Sequence, residues 1–174
     1  MIISALKSPD ATDLRSVIHP ETISKLVELD GISLIFEAGI GEDINASDQD
    51  FINLGLTSAS RESCLTKGNL IITPSPLNLS EVGTIQPGTS IIGMLDPFYA
   101  ADELKALAEA KLNAISMEFI PRITRAQKMD VLSSQANLAG YAAVLEASQH
   151  LNSALPMMMT AAGTLKPARV FVIG

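Results

Sequence analysis

The densest collection of groups able to do directed chemistry lies between residues 121 and 137, where Arg122, Gln127, Asp130 and Ser133 follow one another closely. An arginine offers a planar fork of N–H donors, a glutamine amide donates and accepts, a carboxylate accepts, and a serine hydroxyl does either. Set on one surface, these four could read a carboxamide and ribose hydroxyls through directed hydrogen bonds. If a helix begins near Arg125, then Gln127, Asp130 and Ser133 recur at three-residue intervals and drift slowly round one side, with Arg122 in the loop just before. The same spacing fits a plainer arrangement, a capped and solvated helix start in which Arg122 pairs with Asp130. Both readings stand at this point. Elsewhere the polar signals are thinner. His19 precedes a proline-started helix and reads as a cap or surface group, and His150 sits where a helix C-terminus favours positive charge. Neither has the companions of a metal ligand set. Asp43, Asp48 and Asp50 read as a solvated acidic stretch, Met157, Met158 and Met159 as gap fillers or a flexible contact surface, and Cys64 has no evident activating base.

Several elements must position the cluster. Short β-branched runs alternate with helical patterns, as in parallel strands joined by crossover helices. Strands are expected at residues 2–6, 32–36, 70–72, 90–94 and 113–117, giving a sheet of about five. Between the first two, Pro20 suits a first helical turn, Ile23, Leu26 and Val27 share a face, and Gly31 supplies the stop. Ser47 with Asp50 resembles a capping pair opening a short helix that Gly55 ends. Leu104, Leu107 and Ala108 mark a helix over residues 101–111. A long helix is expected from Ala126 to His150, in which Gly140 suggests close packing against another backbone. Residues 160–168 read as a loop, and residues 169–173 as an apolar strand ending in Gly174, the place where a phosphate-binding turn starts. The expectation is a longer native chain, divided here into an α/β lobe over 1–125, a bridging helix over 126–150, and a linker with the first strand of a nucleotide-binding domain over 151–174.

Composition narrows the function classes. Twelve basic against nineteen acidic side chains give a net charge of −7, which would repel a phosphate backbone, so nucleic acid is not an expected partner. A single cysteine forms no intramolecular disulfide and fits a reducing, cytoplasmic setting. No apolar run approaches the ~18 residues needed to span a bilayer, so any membrane connection is expected to come through partner chains.

The residues Pro121-Arg122-Ile123-Thr124-Arg125-Ala126-Gln127, the run from Asp130 through Ser133 to Tyr141, and then Met157-Met158-Met159-Thr160-Ala161-Ala162-Gly163-Thr164 with Pro167-Ala168-Arg169-Val170 resemble the alanine dehydrogenase and nicotinamide nucleotide transhydrogenase family. The likeness is nearer to the NAD(H)-binding subunits of the proton-translocating branch. It implies two Rossmann-like (flavodoxin-like) α/β lobes, of which this chain holds the first, a bridging helix and the opening strand of a truncated second. By position it implies that Arg122 and Ser133 hold the nicotinamide carboxamide, that Asp130 orients Arg122, that Gln127 aligns the two nicotinamides, and that Gly174 opens the family's Gly-x-Gly-x-x-Gly turn. The implied cofactors are NAD(H) on this subunit and NADP(H) on a partner domain. The implied partners are a second copy of the chain, an NADP(H)-binding subunit and a membrane-embedded proton-channel subunit, with the protein peripheral on the inner face of the membrane.

Departures from the family pattern bear on activity. Of its opening glycine-x-proline-basic-glutamate signature, Ser4-Ala5-Leu6-Lys7-Ser8 keeps only the basic residue, and Arg15 with Pro20 is a thin echo nearby. Alanine dehydrogenases bind substrate with a lysine after the third strand and use a histidine after the fourth as acid/base. Here Ile72 and the stretch Leu95-Asp96-Pro97-Phe98-Tyr99 occupy those regions. That argues against an alanine- or lysine-forming dehydrogenase. A non-catalytic dimerisation or docking lobe is the remaining rival.

Overall fold

The computed structural model describes residues 1–173, and Gly174 lies outside the described residues. The chain divides into two compact units, 1–129 and 130–174. Unit one is built on β1 (Ile2–Ala5), α1 (Pro20–Val27), β2 (Ser33–Glu37), α2 (Asp48–Asn53), β3 (Thr57–Ala59), α3 (Arg61–Lys67), β4 (Leu70–Thr73), α4 (Leu79–Val82), β5 (Ser90–Gly93), α5 (Ala101–Glu109) and β6 (Asn113–Ser116). Its sheet is parallel throughout, in the order β3-β2-β1-β4-β5-β6.

Strand alternation sorts the side chains onto two faces. Ile3, Ala5, Leu34 and Phe36 join Ile23 of α1 and Phe51 of α2 in one core, while Ile71 and Ile91 join Cys64 and Leu65 of α3, Val82 of α4 and Leu107 of α5 in the other. Phe36 and Phe51 are both fully buried, with ring centroids 5.2 Å apart, and each contributes on the order of 2–3 kcal/mol by burial. The chain winds outward from β1 to β3, crosses over through α3, and winds the other way from β4. The C-terminal ends of the two central strands β1 and β4 are therefore the topological switch point, the place at which such sheets take ligands.

The α/β expectation holds, with six strands in the sheet rather than five. The additional one, β3, has no apolar run because it is an edge strand paired only to β2, and its Ser58 hydroxyl donates to Asp48 Oδ2 at 3.1 Å. The capping pair is confirmed: Ser47 Oγ accepts from the Asp50 N–H, and Asp50 Oδ2 accepts from the Ser47 N–H at 2.7 Å. Gly31 takes a φ of +77° just after α1.

Unit two holds α6 (Val131–Gln149) and an antiparallel hairpin, β7 (Met158–Thr160) with β8 (Gly163–Leu165). Four expectations need correction. The long helix begins at Val131, not Ala126, because Asp130 caps it and residues 124–129 form 3₁₀ turns instead. A Cβ at Gly140 would meet nothing within 4 Å, so among the described residues no other segment of this chain approaches it closely. The expected loop over 160–168 is partly the hairpin, whose Gly163 adopts φ +129°. Residues 169–173 pair with no strand, and Phe171 and Ile173 are both 88% exposed; apolar character sets a propensity, but a strand exists only where a neighbour completes its ladder.

Candidate functional site

At the C-terminal edge of the sheet in unit one, one arginine ties together segments from four strands. Arg61, the first residue of α3, follows β3. Its Nη1 donates to Glu37 Oε2, at the end of β2, and to the carbonyl oxygen of Lys7, just past β1, each at 2.9 Å. Its Nε and Nη2 both donate to the carboxylate of Glu81 in α4, beyond β4, the latter at 3.3 Å. Glu37 Oε2 also accepts from the Lys7 N–H at 2.9 Å, and Glu81 Oε2 accepts from the Asn78 N–H in the capping box of α4. Lys7, the surviving basic residue of the opening pattern, turns to Glu42 at 3.1 Å and Asp43 at 3.7 Å. None of the three charged members of this cluster was visible in the sequence, since Glu37, Arg61 and Glu81 are far apart along the chain and each looks like a surface charge.

The electrostatics follow from this packing. Burial pushes the Glu81 carboxyl up, yet the Arg61 and Asn78 hydrogen bonds outweigh it and leave it below the usual carboxylate range. Glu118 behaves alike: burial raises it, and the Ser116 hydroxyl with the Asp96 and Leu95 N–H groups, at 2.6, 2.7 and 3.2 Å, bring it down. Carboxyls depressed in the folded state hold fewer protons there than in the unfolded chain, so their stabilisation is complete at neutral pH and is lost as pH falls through the carboxylate range. Thermal melts should therefore fall steadily below about pH 4.5, and Glu81→Gln should flatten that acid arm; an unchanged acid slope would remove Glu81 as a contributor. Cys64 is buried, and burial, followed by the nearby Glu37 charge, raises its thiol to about 11. It is an inert core residue.

The loop after β6 carries the expected Arg122 and Gln127. Both are exposed, Arg122 ahead of the 3₁₀ segment and Gln127 within it, while Ala126 beside them is buried and anchors the segment. In unit two, Asp130 and Ser133 are brought together: Asp130 Oδ1 accepts from the Ser133 N–H at 2.9 Å, and Oδ2 accepts from the Ser133 hydroxyl at 2.6 Å. Asp130 is buried to 8% exposure. The aspartate is an N-cap, so the even three-residue drift of a continuous helix does not occur.

The remaining candidates are structural. His19 caps α1, its Nδ1 accepting from the Glu21 N–H at 3.3 Å. His150 closes α6 and meets Glu146 at 3.0 Å. Arg15 pairs with Asp13. Asp48 is more than a solvated acid, since it also accepts from the Gly39 N–H at 2.9 Å. Met157, Met158 and Met159 are exposed, so they fill no core. Among the described residues, no three His, Cys, Asp or Glu side chains group as a metal site, and no helix is long and apolar enough to cross a membrane.

The family model for the N-terminal domain of alanine dehydrogenase/PNT matches residues 9–139. The chain belongs to this family. It is 36% identical over its whole length to the first-part chain of NAD(P) transhydrogenase subunit alpha from Rickettsia prowazekii, and 40% identical across 92% of its length to the same subunit of Rhodospirillum rubrum. The chain spans 46% and 43% of those relatives, less than half of each. The crystal structure of transhydrogenase from Sinorhizobium meliloti superposes with a TM-score of 0.88 at 38% identity, covering 97% of this chain and 50% of that one. L-alanine dehydrogenase shares the fold, with a TM-score of 0.64 at 21% identity over 69% of this chain and 33% of that one. The family resemblance carried by residues 121–141 and 157–170 thus identified the right group.

Proposed function

We propose that this chain is part of the NAD(H)-binding subunit of a proton-translocating NAD(P) transhydrogenase, in which hydride passes from NADH to NADP⁺ on a partner subunit. The observation carrying this reading is that relatives at 36% and 40% identity over nearly the whole chain are transhydrogenase alpha subunits. NAD(H), when bound, supplies the hydride chemistry, and the chain's share is orientation. The donor set suits a carboxamide. Arg122 offers N–H donors to its oxygen, while the Ser133 hydroxyl, whose O–H already donates to Asp130, keeps lone pairs to accept from its amide. On this reading Asp130 is the residue that orients Arg122 and Gln127 the one that aligns the two rings. The same reading makes the protein a homodimer, held peripherally on the membrane's inner face by a proton-channel subunit and an NADP(H)-binding subunit. Amino-acid dehydrogenation is disfavoured by the absence of the lysine and histidine that such enzymes use.

A chimera tests the assignment: this chain substituted for the matching segment of the Rhodospirillum rubrum subunit and assembled with that enzyme's other subunits. Reduction of NADP⁺ by NADH should persist within about tenfold of the parent rate. A well-folded, assembled chimera that binds NADH but transfers nothing would sink the proposal.

A further inference from the structure

Arg61 sits where a doubly wound sheet ordinarily admits a ligand, and a lone arginine there would be an obvious carboxylate receptor. Four of its five N–H donors are already committed: Nε and one on Nη2 go to Glu81, and Nη1 serves Glu37 and the Lys7 carbonyl. These partners lie at the end of β2 and beyond β1 and β4, so the guanidinium, following the outer strand β3, reaches across the switch point between β1 and β4. The three side chains are only 22%, 18% and 16% exposed for Arg61, Glu37 and Glu81, which strengthens their mutual attraction relative to a solvated pair. Lys7, the other cation at this edge, is taken by Glu42 and Asp43. Four carboxylates against two cations leave the rim negative, and a small organic acid would have to displace bonded carboxylates while approaching like charge. In the loop between β4 and α4, the Ser75 hydroxyl is buried without a hydrogen-bond partner, a polar group for which the closed arrangement provides nothing.

We propose that Arg61 is the specificity-determining residue of this lobe, a clamp that closes the switch point to small carboxylate substrates such as amino and 2-oxo acids. The inference goes beyond the nucleotide assignment and stands or falls independently of it, because it concerns an edge of the sheet that the nicotinamide-end residues do not occupy in sequence.

The test uses oxalate and pyruvate as probes on the 174-residue chain, followed by calorimetry. The unaltered protein should bind neither at about 10 mM, whereas Glu37→Ala/Glu81→Ala, which removes both carboxylate acceptors and leaves the guanidinium charged, should bind oxalate at least tenfold more tightly, and adding Arg61→Ala should abolish that gain. Binding of either acid to the unaltered protein near 1 mM would overturn the proposal, as would a folded double variant with no gain. Should the double variant fail to fold, Glu81→Ala alone and the solvent exchange of the Arg61 Nε–H decide: a clamp requires a slowly exchanging proton in the unaltered protein and a faster one in the variant, and rapid exchange in both refutes it.

Discussion

Replacing Arg122 with alanine in the assembled transhydrogenase chimera should lower the rate of hydride transfer roughly a hundredfold while changing the dissociation constant for NADH less than about threefold. The asymmetry follows from what the side chain is assigned to do. A guanidinium on the carboxamide contributes little to total nucleotide affinity, most of which comes from the pyrophosphate and ribose contacts of a Rossmann turn. In the role proposed for it, its fork would fix the rotation of the ring, and a misplacement of about 1 Å between reacting atoms is enough for the loss named above. Arg122→Lys should recover only part of the rate, because an ammonium is a point charge without the planar fork. Exposure of Arg122 makes the experiment clean, since truncating an exposed side chain seldom disturbs folding. An unaltered transfer rate would take Arg122 out of the site.

The second large effect is on stability. Gly93 ends β5 directly opposite Thr73 of β4, and a Cβ there would lie 1.9 Å from the Thr73 carbonyl oxygen and 2.9 Å from its carbonyl carbon. Backbone cannot rotate away as a side-chain tip can, so Gly93→Ala must pry β4 and β5 apart. A cost of about 3 kcal/mol is expected, lowering the melting temperature by roughly 6–12 °C in a chain of this size. Gly83 is the control: nothing lies within 4 Å of its Cβ position, so alanine there should be close to neutral. A fall of less than about 2 °C for Gly93→Ala would show that the strands yield more easily than their pairing implies.

Much of the lobe is legible in its letters alone. Ile-rich runs at β1, β2, β4 and β5 declare buried parallel strands because both faces of each are covered, and Ser47 with Asp50 declares its own cap. What escapes such a reading shares a cause. β3 is three residues of Thr, Ser and Ala at an edge, so packing wrote no apolar signature into it. Asp130 draws attention as a binding group, but its capping role follows from local competition between 3₁₀ and α geometry that spacing alone does not resolve. The Arg61 cluster is invisible for a different reason. Its members meet only because the sheet order places β3, β2, β1 and β4 side by side, a fact of topology rather than of neighbouring letters. The long motif at residues 121–141 works the other way: it points to the family without saying how its side chains are held.

The central position of β1 also bears on how the protein is made. Ile3 lies opposite Leu34 on one side and Leu70 on the other, so β1, once out of the ribosome, cannot complete its pairing until some sixty-seven further residues have been synthesised. At ordinary elongation rates that delay is on the order of several seconds, during which a short, apolar, incompletely paired strand is available to misassemble or to be held by a chaperone. Completion of the central sheet during synthesis should consequently wait until β4 emerges, although β1 can pair with β2 before that.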